Sequence, residues 1–479
     1  MTVKHFLLLQ GVATPFFNEL GKAIERNGHQ VTKLNFCGGD LLFSRDLQTI
    51  NVNIDPSELV QWSQRFIEKN NITDVILFGD TRPVHQPILR VMKNANITVH
   101  VYEEGYIRPH WVTLEKNGVN GFSSYTHLTL EQWQEQSLKL PSNLPPKKIS
   151  SNMTSRAFYD LTYRIANGIF FTRFLHYQTH RPLTGLWEYL GWIKRFSSHK
   201  LWRTKQDKKT IQQVLKEKAN FYLLPLQLES DAQIHTHSPF KKVAEVIYTV
   251  VESFAKHAPS DSVLVIKNHP LSTGIPNHEK TVRSLAKQFS LTTRIIFLET
   301  GDLTPLLRKT RGTVLVNSTT ATQAIQLGSP TMALGKALFN LPGLTFQGSL
   351  DQFWTQSTPP DQQLYLSYRH VLIQNTQING DFYSPEGIAM TIRNSLEKLE
   401  ALPVPITANK QNILITGASK GIGEALAYHY ASRETRLILV ARDSDKLDEV
   451  SKKCCHLGAE VITKVLDVSH GEQLADWIG

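Results

Sequence analysis

Short apolar runs alternate with amphipathic stretches from the start of the chain. Phe6 to Leu9, Val75 to Phe78 and Ile97 to Val101 read as buried strands, because an unbroken apolar run leaves no polar face for solvent. Phe16 to Asn27 and Pro56 to Lys69 carry apolar residues at helical spacing. The same grammar resumes at Phe221 to Leu224 and continues through Val263 to Ile266, Arg294 to Phe297, Thr313 to Val316 and Thr331 to Leu334. Strands alternating with helices build parallel sheets with helices on both faces. The pattern predicts an α/β protein with two Rossmann-like halves, residues 1–146 and 210–400, facing a cleft.

Between the halves the pattern changes. Residues 147–209 interleave Arg156, Arg164, Arg173, Arg181, Lys194, Arg195 and Lys205 with Phe158, Tyr159, Phe170, Phe171, Trp187, Trp192 and Trp202. This reads as a basic, aromatic helical insertion, able to dock on an anionic bilayer or to pack its rings on the sheet domains. Residues 401–411, with Pro403 and Pro405, read as a stiff linker. Beyond it, Asn412 to Thr416 is a strand that runs into Gly417, Gly421 and Gly423 and then a helix. Side-chain-free residues there let backbone amides approach a pyrophosphate.

Composition narrows the partner. With 41% apolar and 20% charged residues in 479, the chain is globular, neither disordered nor fibrous. A formal charge of +10 favours an anionic partner: nucleic acid, a nucleotide sugar or an anionic lipid surface. No nucleic-acid-binding motif is present, so nucleic acid is set aside. Cys37, Cys454 and Cys455 have no metal-ligand spacing, so no metal site is expected, and activity should survive a chelator. No stretch approaches a membrane span, which predicts a cytoplasmic protein or one peripheral to the inner face of the cytoplasmic membrane.

Candidate chemistry gathers where predicted strands end, the usual ligand side of an open α/β sheet. Glu103 and Glu104 are adjacent carboxylates that point to opposite sides of a strand, so one faces the cleft as a base. His269 is fixed beside Pro270 and suits a leaving phosphate. Ser318, Thr319 and Thr320 offer hydroxyls and amides to the same phosphate if a helix starts at Ala321. Gln227, Asp231 and Gln233 enter a polar turn, where Asp231 by itself is also a plain helix cap. Taken singly each motif is weak: a structural histidine, a cap or solvated surface acids.

Together these residues resemble a family. Leu9-Gln10-Gly11, Asn35 to Asp40, Glu103 to Pro109, Pro225-Leu226-Gln227 with Asp231 and Gln233, Lys267 to Pro270, Asn317 to Thr319, Gly343 to Thr345 and Phe353-Trp354 are similar to the KpsS-type capsule polysaccharide biosynthesis and export proteins. The resemblance covers residues 4 to 395. It implies a GT-B-like glycosyltransferase that moves Kdo from CMP-Kdo to an anionic glycerophospholipid of the (lyso)phosphatidylglycerol type. CMP-Kdo is then a substrate, and the transferase needs no cofactor. A second Kdo transferase and capsule export machinery are implied as partners. A β-linked product from a β-linked donor means retention, and the position matching the family's carboxylate nucleophile is Asp231. His269 and Ser318 would stabilise the departing CMP, Glu104 or else Glu103 would be the base, and Lys267 and Arg108 would hold substrate anions. Asn35, Gly38, Gly39 and Asp40 would shape the acceptor side. Competing readings are a non-catalytic export accessory, a sialyl-type transferase using another CMP-sugar, and a sugar-nucleotide epimerase that needs no acceptor.

Residues 412–479 resemble the start of a short-chain dehydrogenase/reductase. That implies an NADP-binding unit, with Arg442 at the 2′-phosphate and Asp467 beside the adenine. No Tyr-x-x-x-Lys lies between 412 and 479, so dehydrogenase activity of the tail is not expected and the unit reads as vestigial.

Overall fold

The computed structural model describes residues 3–95, 97–142, 145–150, 153–179, 198–217, 220–229, 231–272, 274–402, 411–432 and 435–469. They fall into two compact units, Val3–Leu402 and the chain after it. The larger unit opens with β1 (His5–Leu8), α1 (Phe16–Arg26), β2 (Gln30–Asn35), α2 (Gly38–Leu42), β3 (Thr49–Asn51), α3 (Leu59–Asn70), β4 (Asp74–Phe78), α4 (Gln86–Asn94), β5 (Thr98–Glu104) and β6 (Trp111–Lys116). Helices α5 (Leu130–Lys139), α6 (Met153–Ile169) and α7 (Ser198–Glu217) follow. A second βα series holds β7 (Phe221–Pro225), α8 (Ala232–His237), α9 (Val243–His257), β8 (Val263–Lys267), α10 (His278–Gln288), β9 (Ile295–Leu298), α11 (Thr304–Lys309), β10 (Gly312–Leu315), α12 (Thr320–Gln326) and β11 (Thr331–Ala333). Finally come α13 (Leu350–Gln356), α14 (Gln362–Thr376), β12 (Gln377–Asn379) and α15 (Pro385–Lys398).

Two sheets result. One has the order β12-β6-β5-β4-β1-β2-β3, and the other is β11-β10-β7-β8-β9. Strands β1 to β5 pair in parallel, as do all pairs of the second sheet. Apolar clusters lie on the faces of the first sheet, one around Phe6, Phe16, Tyr102 and Phe382, another around Leu7, Leu34, Val75 and Ile88. The second sheet carries its own around Leu224, Ile247, Ile266 and Trp354. The α/β architecture of two Rossmann-like halves is what the periodicity predicts.

Some boundaries move. Strand β5 runs on to Glu104, so Glu103 and Glu104 sit inside the ladder, opposite Thr113 and Val112 of antiparallel β6, not in the turn beyond it. Strand β12 joins β6 antiparallel, and Ile378, Phe382 and Ile388 enter the core of the first sheet. Residues 377–398 therefore complete the N-terminal half, which amends the expected 210–400 limits. Sequence pattern misses β12 because it is short and polar. Gln377 is buried and ties the strand in, accepting from the backbone of Tyr106 at 3.0 Å and donating to Thr113 at 3.0 Å.

The region expected as one insertion divides. Helix α6 packs on α2 of the first half, while α7 docks on the second through Arg203–Glu279 at 2.6 Å and Asp207, which accepts from Thr300 N at 2.8 Å. Arg181, Trp187, Trp192, Lys194 and Arg195 lie outside the described residues. No helix among the described residues is long and apolar enough to cross a membrane. In the second unit, β13 (Gln411–Thr416), α16 (Gly421–Tyr430), β14 (Thr435–Ala441), α17 (Ser444–His456) and β15 (Glu460–Val465) form a parallel sheet of order β13-β14-β15.

Candidate functional site

The C-terminal ends of β1, β2 and β4 meet a buried polar network. Gln10, just past β1, receives Arg82 Nη1 on its amide oxygen at 3.1 Å and aims its amide nitrogen at Asp40 (3.1 Å), Tyr163 (3.2 Å) and Tyr177 (3.2 Å). Tyr163 of α6 also donates to Asp40 at 2.8 Å. Close approach of α6 needs the two glycines that open α2: a Cβ on Gly38 would lie 2.1 Å from the Ala166 carbonyl oxygen, and one on Gly39 would lie 2.4 Å from the Tyr163 ring. Gly38, Gly39 and Asp40 thus fasten α6 to the sheet, which is their structural role here. Cys37 sits in the same pocket, and burial pushes its thiol up to about 12.

At the end of β5 the two carboxylates separate. Glu104 accepts from the Tyr383 hydroxyl at 2.6 Å and pairs with Arg156 of α6 at 3.4 Å, while Arg156 covers the Tyr383 ring at 4.4 Å. Burial works to raise the Glu104 carboxyl, but Arg156, Arg108 and the Tyr383 hydroxyl outweigh it and hold the group below its usual value. Glu103 points the other way. Its carboxylate accepts from Glu104 N at 3.0 Å and sits near Arg82 and Asp80. Burial, then the neighbouring Glu104 charge, pushes it up to about 7, against the Glu104 amide and Arg82. Two further acids lie behind it, missed by sequence reasoning because nothing local marks them. Asp80 is raised by burial to about 6 although it accepts from Val119 N at 3.0 Å, and Glu115, bonded to Tyr106 (2.6 Å) and Ser123, is raised to about 7. Arg108 reaches the Gly105 carbonyl at 3.3 Å.

The second sheet presents its own set. Asp231 caps α8: Oδ1 accepts from Gln233 N at 2.9 Å, and Oδ2 accepts from Gln227 Nε2 at 3.0 Å. Gln227 in turn donates to Asn317 Oδ1 (3.0 Å) and accepts from Asn317 N (3.1 Å), so Asn317, just past β10, orients the carboxylate through one amide. The cap reading of Asp231 is thereby met, and the same contacts leave each oxygen a lone pair. His269 accepts from Leu271 N through Nδ1 at 3.1 Å, which assigns the proton of the neutral ring to Nε2. Ser318 bonds Thr320 through its hydroxyl at 3.1 Å, and Thr319 is the N-cap of α12 with no side-chain cap bond. The helix starts at Thr320, one residue ahead of the expected Ala321. Lys267 is buried and donates to the Asn268 carbonyl at 3.0 Å.

The two halves touch at the other end of α8 from Asp231. The last residue of α8, His237, meets the Phe122 ring of the first half edge-on at 4.6 Å. A shared apolar cluster of Tyr106, Ile107, Trp133, Leu315, Ile325 and Tyr368 continues that boundary. Burial there, then Lys336, lowers His237 to about 4, so this contact is between neutral rings.

In the second unit Gly417 and Gly421 take φ of +65° and +61°, with open space over both, and a Cβ on Gly423 would lie 2.3 Å from the Gly417 carbonyl oxygen. Only glycine closes this turn before α16. Arg442, past β14, reaches Asp467, past β15, at 3.5 Å.

Comparison with known proteins adds relatives. A family model described as capsule polysaccharide biosynthesis protein matches residues 73–383, and one for short chain dehydrogenase matches residues 411–479. The chain is 30% identical over 383 residues to the capsule polysaccharide export protein KpsS of Escherichia coli, covering 79% of this chain and 97% of that protein. It is 33% identical over 394 residues to the capsule polysaccharide modification protein LipB of Neisseria meningitidis serogroup A, covering 80% and 92%. The solved structure of Thermosulfurimonas dismutans KpsC, a beta Kdo 2,7 transferase, aligns over 83% of this chain and 99% of its own, with 12% identity and a TM-score of 0.38.

Proposed function

This chain belongs to the capsule polysaccharide biosynthesis protein family, and from that premise we propose that its larger unit is a retaining glycosyltransferase moving Kdo from CMP-Kdo to a (lyso)phosphatidylglycerol-type lipid at the inner face of the cytoplasmic membrane. The observation that carries this reading is the double clamp on Asp231 by Gln233 N and Gln227 Nε2. A carboxylate held at both oxygens is oriented for attack, and each oxygen keeps electron density for a carbon electrophile.

In the first half-reaction an Asp231 oxygen bonds to the anomeric carbon as the bond to the CMP phosphate breaks. The electron pair leaves with CMP. His269, with its proton on Nε2, and the hydroxyls of Ser318 and Thr319 stabilise that phosphate. In the second, the acceptor hydroxyl loses its proton to Glu103 and attacks the same carbon from the opposite face, releasing Asp231. Glu103 is preferred to Glu104 because a base needs a value near the working pH, which burial supplies at about 7, whereas Glu104 is committed to Tyr383 and Arg156. Arg108 stays a candidate for the Kdo carboxylate, and so does Lys267 for a substrate anion: it donates to the Asn268 carbonyl, and an ammonium carries three protons.

The test is mass spectrometry of the full chain with CMP-Kdo and a fluorescent lyso-phosphatidylglycerol, beside Asp231→Asn. Addition of one Kdo, lost in the variant, supports the reading. A folded protein that transfers nothing from CMP-Kdo or CMP-sialic acid favours a non-catalytic role in export, the process printed in the name of the Escherichia coli relative.

In the smaller unit the turn of Gly417, Gly421 and Gly423 would hold the pyrophosphate of NADP and Arg442 its 2′-phosphate. That group would carry hydride chemistry, for which residues 412–479 contain no Tyr-x-x-x-Lys, so the unit is read as a vestigial binding unit without dehydrogenase activity.

A further inference from the structure

Helix α6 has two unlike faces. Its inner face is fully used: Tyr163, Ala166 and Asn167 meet Gly38 and Gly39, Asn167 accepting from Gly39 N at 2.6 Å, and Arg156 reaches Glu104 at 3.4 Å. Its outer face is apolar and open. Phe158, Leu161, Ile165 and Ile169 are 63%, 42%, 52% and 67% exposed, and Phe171 and Leu175 extend the stripe at 61% and 64%. A Cβ on Gly168 of the same face would meet nothing within 4 Å. Spacings of three and four residues put Phe158, Leu161, Ile165 and Ile169 on one line of the helix, roughly 16 Å long at the helical rise.

Solvent does not favour such a line. Contiguous exposed apolar surface marks a site that something covers. The charges around it select the occupant: Arg156 turns inward to Glu104 and Arg164 pairs with Asp160 at 2.9 Å, which leaves Arg173 as the cation at the edge of the stripe, in a chain of formal charge +10. Exposed Arg173 lies at the end of the stripe, over the Phe170 ring at 5.5 Å. On a chain of net positive charge, an apolar stripe with a cation at its end lies in the plane of an anionic bilayer, its side chains at the acyl boundary and the cation at the phosphates.

We propose that α6 docks this chain on an anionic lipid surface through Phe158, Leu161, Ile165 and Ile169, continued by Phe171 and Leu175. The docked helix is the one that carries Arg156 to Glu104, so the lipid surface and the candidate site share a rigid element. The inference draws on the proposed function only for the direction in which the site faces, and its test uses neither donor nor acceptor, so failure of Kdo transfer leaves it standing.

The experiment is flotation of the full chain with vesicles of phosphatidylcholine, with and without phosphatidylglycerol, beside a Phe158→Ser, Ile165→Ser, Ile169→Ser variant. All three positions are exposed, so the fold should tolerate the changes. Expected are binding that needs phosphatidylglycerol and a roughly tenfold or greater loss in the variant. A single Phe158→Trp variant provides a second reading: the emission it adds to that of the wild type shifts to the blue on anionic vesicles and is quenched by brominated lipid. Equal flotation of wild type and triple variant overturns the proposal. So does added emission from Phe158→Trp that vesicles leave unmoved, or a lipid-free dimer that the triple variant splits without change in vesicle binding, which would make a second copy the occupant.

Discussion

The phenol of Tyr383 donates to Oε1 of Glu104 at 2.6 Å, joining the segment before α15 to the last residue of β5. The consequence is a division of labour between neighbours: Glu104 stays ionised in its clamp, and Glu103, one residue earlier on the opposite side of the strand, is left to titrate near neutrality.

The rate of transfer should rise with pH through about 7, the value of Glu103. Glu103→Gln should flatten that rise and lower the rate on the order of 10²-fold or more. The Glu104 charge is one of the effects raising Glu103, so Glu104→Gln should move the midpoint to lower pH. A pH–rate profile of the three proteins decides; an unchanged midpoint and slope in Glu103→Gln would dismiss it as the base.

Stability carries the same signature. Glu103 binds its proton more tightly folded, at about 7, than its ordinary 4.5, so the folded state loses stability as pH rises through that window. Glu103→Gln removes this loss. Its melting temperature relative to wild type should therefore climb between pH 4.5 and 7 and level off above, as differential scanning across pH will reveal.

Asp231 should separate into two roles by choice of substitution. Asparagine caps a helix as well as aspartate, whereas alanine costs about 1 kcal/mol. Asp231→Asn keeps one acceptor for Gln233 N but turns its NH2 toward the Gln227 Nε2 donor, so it should lose transfer with a small fall in melting temperature, whereas Asp231→Ala should lose transfer with the larger fall that the missing cap adds. Trapping of a Kdo adduct on the peptide holding Asp231, seen by mass spectrometry, is the direct check.

Gly38→Ala should loosen α6. Its Cβ would lie 2.1 Å from the Ala166 carbonyl oxygen, a backbone atom that cannot rotate away, and overpacking of this kind costs roughly 1–3 kcal/mol. Limited proteolysis should cut the α6 region sooner in the variant, with the second sheet unaffected.

Gly423→Ala should act only on the smaller unit, where the added Cβ would lie 2.3 Å from the Gly417 carbonyl oxygen. A loss of roughly 1–3 kcal/mol should appear as earlier proteolysis after Leu402, while any transferase activity of the larger unit is retained.

The sequence by itself determined the two βα series, since short unbroken apolar runs such as Val263 to Ile266, alternating with amphipathic helical stretches, read as interior strands of a covered parallel sheet. It also placed His269 and Ser318 just past strand ends, because they follow the runs closely, and Asp231 in the turn that leads from β7 into α8. The glycine turn from Gly417 to Gly423 was legible for the same local reason. What it left open depended on partners far along the chain. Tyr383 stands 279 positions from Glu104, and Asn317 stands 90 from Gln227, so neither the protonation of the carboxylate pair nor the orientation of Asp231 had any local mark. The same holds for β12, whose polar residues become a strand only when β6 offers its edge, and for α6, whose inner face is set by distant partners: Gly38, Gly39, Asp40 and Glu104. Hydrophobic periodicity is a short-range property, readable from neighbours. Burial and electrostatic environment are sums over the whole fold, and they exist only once it has formed.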